Sequence, residues 1–194
     1  MELWHWARTK MNYAPTTFWY ARPGATCDVE PDFEEARRPV ARKVEDIVKP
    51  RKVDNALEGE TLEVVECTGG TTEIQNIPQH NWSDNRQLWW RHAQEKDTLV
   101  VEFPVEEAGD YDVTLGITKA RDYGIVRVMI NGEVKIDSLD GYNGSVIAVD
   151  VELPTCRLKQ GANRLEVTIL GSNPEAVKSH MFGLDYILAA KRSK

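Results

Sequence analysis

The sequence predicts an all-β fold, a β-sandwich or jelly roll, and three observations carry the prediction. From Leu57 onward, seven to ten short stretches of strand composition follow one another, separated by turn signals. Helical periodicity is scarce over the same region. The clearest stretch, GDYDVTLGITKARDYGIVRVMING over Gly109 to Gly132, alternates with a period of two. Tyr111, Val113, Leu115 and Ile117 share one face of its first strand, and Ile125 or Val126, Val128 and Ile130 share one face of its second. It reads as a hairpin turning at Asp122-Tyr123-Gly124 and closed by Asn131-Gly132.

In chain order, residues 1–26 hold three of the six Trp and two of the six Tyr, too aromatic a start for a loose terminus. They read as the tail of an upstream domain or as a strand packed on the main one, stopped by Pro23-Gly24. Residues 27–56 are charged and interrupted by Pro39 and Pro50, which predicts a connector, helical only in part, with Asp32 placed to cap a short helix. Residues 57–190 form the sandwich. Its expected strands are Leu57–Glu66, 71–77, 87–91, 98–105, the pair within 109–130, 134–136, 146–153, 164–170 and 182–189. Polar loops at 78–85, 137–145 and 171–180 separate them.

Composition narrows the function classes. Hydrophobic content of 41% and charged content of 28% are those of a soluble globular protein, and no apolar run approaches the roughly 18 residues a membrane span needs. A net charge of −7 with interspersed signs argues against a nucleic-acid partner, which calls for Lys and Arg gathered on one face. Cys27, Cys67 and Cys156 show no CxxC spacing, so neither a zinc site nor a dense disulfide framework is written in the sequence, and free thiols are expected, with one disulfide and a spare thiol as the alternative. Met1 to Trp6 lacks the basic and apolar regions of a signal peptide.

Catalytic motifs are missing: there is no GxSxG, P-loop, GxGxxG or HExxH. The acidic residues are spread singly along strands or lie in turns, and no glycosidase pair assembles from them. Sugar binding asks for an accessible aromatic ring beside polar side chains. Two loops supply that combination, Trp82 with Arg86 in one and Tyr142 with Asn143 in the other. Trp89 and Trp90 point to opposite faces of a strand, so one belongs to the core and the other to a surface.

The runs WSDNRQLWW, TKARDYGIVRVMINGE, KQGANRLEV and GSNPEAVKSHMFGLDYI together resemble the C-terminal galactose-binding-like module of glycoside hydrolase family 172 proteins, formerly domain-of-unknown-function family 2961. ELWHWARTKMNYAPTTFWYARPG is similar to the segment that joins the catalytic part of such proteins to that module. The resemblance implies a noncatalytic accessory domain of a glycan-active enzyme, secreted or periplasmic. Its partners would be a glycan and an upstream catalytic domain or further copies of itself. A role in domain or subunit contacts without sugar binding is the alternative. Glu58-Gly59-Glu60 and Asp185 also resemble the pattern by which several families of sandwich-type carbohydrate-binding modules hold a structural calcium ion, a Glu-x-Glu near the first strand and an Asp in the last. That resemblance implies calcium on Glu58, Glu60 and Asp185, with backbone carbonyls completing the shell.

Overall fold

A computed structural model of the protein describes residues 23–26, 32, 34, 50–177 and 180–192. The chain divides into two compact units, Met1–Lys49 and Pro50–Lys194. In the first, Asp32 Oδ1 accepts the amide of Glu34 at 3.1 Å, the contact expected of a helix cap. The rest of what was expected of residues 1–49 lies outside the described residues, apart from the turn at Pro23-Gly24.

Among the described residues the second unit has twelve strands: β1 (Leu57–Glu58), β2 (Glu63–Cys67), β3 (Thr71–Asn76), β4 (Arg86–Arg91), β5 (Thr98–Val105), β6 (Gly109–Lys119), β7 (Ile125–Ile130), β8 (Glu133–Asp140), β9 (Ile147–Glu152), β10 (Cys156–Leu158), β11 (Gly161–Gly171) and β12 (Phe182–Lys191). They form two antiparallel sheets. The larger runs β10-β6-β12-β4-β3, with β1 on the β12 edge and β9 beside β6, and the smaller runs β2-β5-β11-β7-β8. Alternation decides which residues enter the space between them. Leu88 and Trp90 of β4, Val113, Leu115 and Ile117 of β6 and Leu184 and Ile187 of β12 face Leu99, Val101 and Phe103 of β5, Val126, Val128 and Ile130 of β7 and Leu165, Val167 and Ile169 of β11 in one apolar core.

The stretch read as a hairpin is corrected here. β6 pairs with β9, β10 and β12, whereas β7 pairs with β8 and β11, so the two strands lie in opposite sheets and residues 120–124 cross between them. Both strands alternate because both turn one face to the same core, and alternation reports burial without naming the pairing partner. The true hairpin is β7–β8. Asn131 and Gly132 turn it with φ of 50° and 80°, as a two-residue loop of the favoured hand requires.

Two further features position the site. The expected strand Leu57–Glu66 is broken by a 3₁₀ turn at Gly59–Thr61, leaving β1 in one sheet and β2 in the other. In β12 the register against β6 shifts between Leu184 and Tyr186, which makes Asp185 the extra residue of a bulge. Residues 51–53 belong to this unit because Arg51 O accepts the Asp84 amide at 2.7 Å and the Val53 amide donates to Ser83 Oγ at 3.0 Å.

Candidate functional site

The outer face of the larger sheet is lined by polar residues, and the loop between β3 and β4 lies over it. Gln87 and Thr118 point outward from β4 and β6, are fully covered, and are joined in one chain of hydrogen bonds. Trp82 Nε1 donates to Thr118 Oγ1 at 2.8 Å, Thr118 Oγ1 donates to Gln87 Oε1 at 2.6 Å, and Gln87 Nε2 donates to Gln75 Oε1 and Tyr123 Oη. Every member is satisfied, as a buried polar network must be. Gly183 of β12 lies beneath the amide: a Cβ there would stand 2.3 Å from Gln87 Oε1.

Trp82 therefore departs from expectation. Its loop is polar and full of turn formers, yet the indole is 1% exposed, folded under its own loop with its N–H spent on Thr118. It is not free to stack on a sugar. Arg86 also has prior engagements, with Glu60 and Asp84. Tyr142 and Asn143 are half-buried, and their loop is fixed to the crossing segment by Asn143 N to Ala120 O and by a bridge between Ala120 and Tyr142.

Where these loops meet, at one end of the larger sheet, a pocket of about 100 Å³ opens. Gln75, His80, Trp89, Asp122, Val146 and Met181 line it, with Trp82 and Tyr123 contributing from the covered face. Trp89 is the outward member of the tryptophan pair, half-buried, whereas Trp90 is 0% exposed in the core. The Arg91 guanidinium lies 4.7 Å from the Trp89 ring centroid and braces it. The rim is rigid. Met181 N donates to Asp122 O, Gly124 N to Met181 O and Gly141 N to Gly124 O, so three loops share backbone hydrogen bonds. Burial lowers the His80 imidazole below its ordinary value, which leaves the ring neutral at physiological pH. The alternation of β4 was enough to place one tryptophan outward. Sequence carried no sign that His80, Val146 and Met181 would join it, since they come from three separate loops.

A second cluster lies where β1 meets β12. Glu58 and Asp185 are 9% and 1% exposed, and the Glu60 side chain is 1% exposed. Ser83 ties the first two, its hydroxyl donating to Glu58 Oε1 and its amide to Asp185 Oδ1, each at 2.9 Å. Glu58 Oε2 and both Glu60 oxygens are buried and accept no hydrogen bond. The donors are hard oxygens of the kind calcium takes, and the residues implied by the resemblance are indeed neighbours. Their arrangement does not fit a ready site: among the described residues no three His, Cys, Asp or Glu side chains converge on a position that holds a metal ion. Arg86 Nε stands 3.2 Å from Glu60 Oε1 instead.

Burial pushes the Asp185 carboxyl up to about 7, with Glu58 and Glu60 adding to the rise and the Ser83 amide and Arg51 opposing it. Burial raises Glu60 as well, against the pull of Arg86. An acid that holds its proton more tightly folded than unfolded stabilises the fold most below its unfolded value, here 3.8, and loses that contribution as pH rises towards 7. Asp185→Asn keeps an oxygen for the Ser83 amide and removes the charge. Urea unfolding at about pH 5 and about pH 8 is expected to show the variant gaining on the wild type at the higher pH. A stability difference that does not move in the variant's favour between the two pH values contradicts this.

Cys156 is buried and Cys67 exposed, both as free thiols. Cys27 lies outside the described residues.

No family model matches the sequence, and neither does any curated protein. Solved structures do match the fold. A Paenibacillus xanthan lyase matches 75% of this chain with a TM-score of 0.64 and 21% identity, and the chain spans only 14% of that protein. Family 35 carbohydrate-binding modules from an environmental isolate and from Clostridium thermocellum each match 71% of this chain. They do so over 93% and 99% of their own lengths, with TM-scores of 0.47 and 0.46 and identities of 14% and 17%. At 21% identity the likeness to the xanthan lyase is one of fold, and the two sheets make this chain an antiparallel β-sandwich of the jelly-roll kind.

Proposed function

We propose that this chain is a noncatalytic glycan-binding accessory module of a larger glycan-active enzyme, of the family 172 glycoside hydrolase kind. One observation carries the reading: a rigid pocket that places the Trp89 indole, Val146 and Met181 beside Asp122, His80 and Gln75. A pyranose offers both surfaces such a pocket accepts, a patch of C–H groups for the ring and thioether and hydroxyls for the carboxylate, imidazole and amide. The fold shared with part of a xanthan lyase supports a place within a larger polysaccharide-active protein.

Size sets the expected strength. Pockets that enclose a whole ligand hold roughly 300–1,000 Å³, so one of about 100 Å³ takes an edge of a sugar ring. Dissociation constants on the order of a millimolar are expected. Titration with an oligosaccharide panel, followed by tryptophan fluorescence, tests the reading. Trp89→Ala and Asp122→Ala are each expected to weaken binding at least about tenfold, and Asp122→Ala to do so with the unfolding midpoint nearly unchanged. No response to any sugar at millimolar concentration overturns it.

A contact-making module without sugar binding is the second reading, favoured by Ile74, 58% exposed on the edge strand β3. Sedimentation separates the two readings. Self-association abolished by Ile74→Lys, with no sugar response, selects the second.

A further inference from the structure

We infer that in this chain the guanidinium of Arg86 stands where a divalent cation would serve the acid cluster, so that the wild-type fold is metal-independent and the site opens to a hard divalent ion only when Arg86 is removed. Glu58, Glu60 and Asp185 are brought together by β1, a 3₁₀ turn and a bulge, and such a gathering of buried carboxyls needs positive charge. Glu60 is the member with no hydrogen-bond donor on either oxygen. The positive group at its carboxylate is Arg86, with Nε at 3.2 Å.

Arg86 is clamped there. Its Nη2 donates to Asp84, and Asp84 sits in a left-handed conformation with φ of 49°, fixed by its own amide bonding Arg51 O at 2.7 Å. One carboxylate holds each edge of the guanidinium, which cannot lose its charge at any pH the fold survives. Glu58 and Asp185 are meanwhile both bonded to Ser83, which leaves Glu60 alone against the guanidinium.

Calcium takes roughly six to eight oxygens at about 2.3–2.6 Å. Glu60 joins such a shell only after the guanidinium leaves, because Arg86 Nε already stands 3.2 Å from Glu60 Oε1 and would repel an incoming cation at that distance. Leaving is physically open to Arg86, whose side chain is 40% exposed. The outcome is competition between an internal cation and an external one.

The test uses the full chain, thermal unfolding in EDTA and in calcium chloride, and terbium luminescence as a direct probe of occupancy. The wild-type midpoint is expected to be the same in EDTA and in roughly millimolar calcium. Arg86→Gln is expected to melt lower than the wild type in EDTA, to recover in calcium, and to bind terbium at least about tenfold more tightly. Adding Glu60→Gln to that variant abolishes the gain. Should Arg86→Gln fail to fold, Asp84→Asn frees the other edge of the guanidinium and is expected to raise terbium affinity in a folded protein. A wild-type midpoint that falls in EDTA, or variants that bind terbium no more tightly than the wild type, overturns the inference.

Discussion

Trp82→Ala is expected to cost about 3–5 kcal/mol of unfolding free energy, the range for deleting a fully buried large side chain. The indole is 1% exposed and covers the polar outer face of the larger sheet. Removing it leaves a cavity and strips Thr118 Oγ1 of the indole N–H it accepts, while Thr118 and Gln87 remain bonded to each other in a newly wetted site. Trp82→Phe keeps most of the bulk and loses only the donor, for which about 1–2 kcal/mol is expected. Urea unfolding of the three proteins separates packing from hydrogen bonding. If Trp82 were a sugar-stacking residue, alanine would abolish binding and leave stability within about 0.5 kcal/mol of the wild type.

The second large effect belongs to Gly59→Ala. A Cβ at this position would lie 2.1 Å from the Leu184 carbonyl oxygen and 2.9 Å from that of Asp185. Both atoms are backbone of β12, a strand paired on both sides, so neither retreats without breaking the ladder to β6 or to β1. About 3 kcal/mol or more is expected, at or beyond the upper end of ordinary overpacking. For a unit of this size that lowers the melting midpoint by roughly 6–12 °C. Gly144→Ala is the matched control, since an added Cβ meets nothing there. A Gly59→Ala protein that melts with the control contradicts the geometry.

Much of the architecture was legible because strand burial writes itself into alternation. β3 to β9, β11 and β12 fall on or close to the stretches of alternating or turn-bounded sequence, and the core faces of β6 and β7 are the residues that period two selects. Pairing was not legible. A two-residue turn of the Asn-Gly type announces β7–β8, whereas residues 120–124 join two strands of the same alternation that never meet in one sheet. β10, three residues long, has no period to read.

The site was legible in part for the same reason. Glu58, Glu60 and Asp185 become neighbours through pairing of the first strand with the last, as the resemblance implied. That Arg86 would reach the Glu60 carboxylate is a matter of side-chain reach, which the spacing of residues does not encode. Trp82 misled because a polar loop indicates where the chain runs and says nothing of which way its one large ring turns.

β12 is both the last strand of the fold and the middle of its larger sheet, with β6 on one edge and β4 and β1 on the other. Of the strands of this unit, it is the last to leave the ribosome. Until then β6, β4 and β1 have no common partner, and the apolar side chains of β5, β7 and β11 have only half a lid. Folding of this unit therefore waits for β12 to clear the exit tunnel, and a nascent chain stalled before Phe182 presents open strand edges to chaperones and to its own copies.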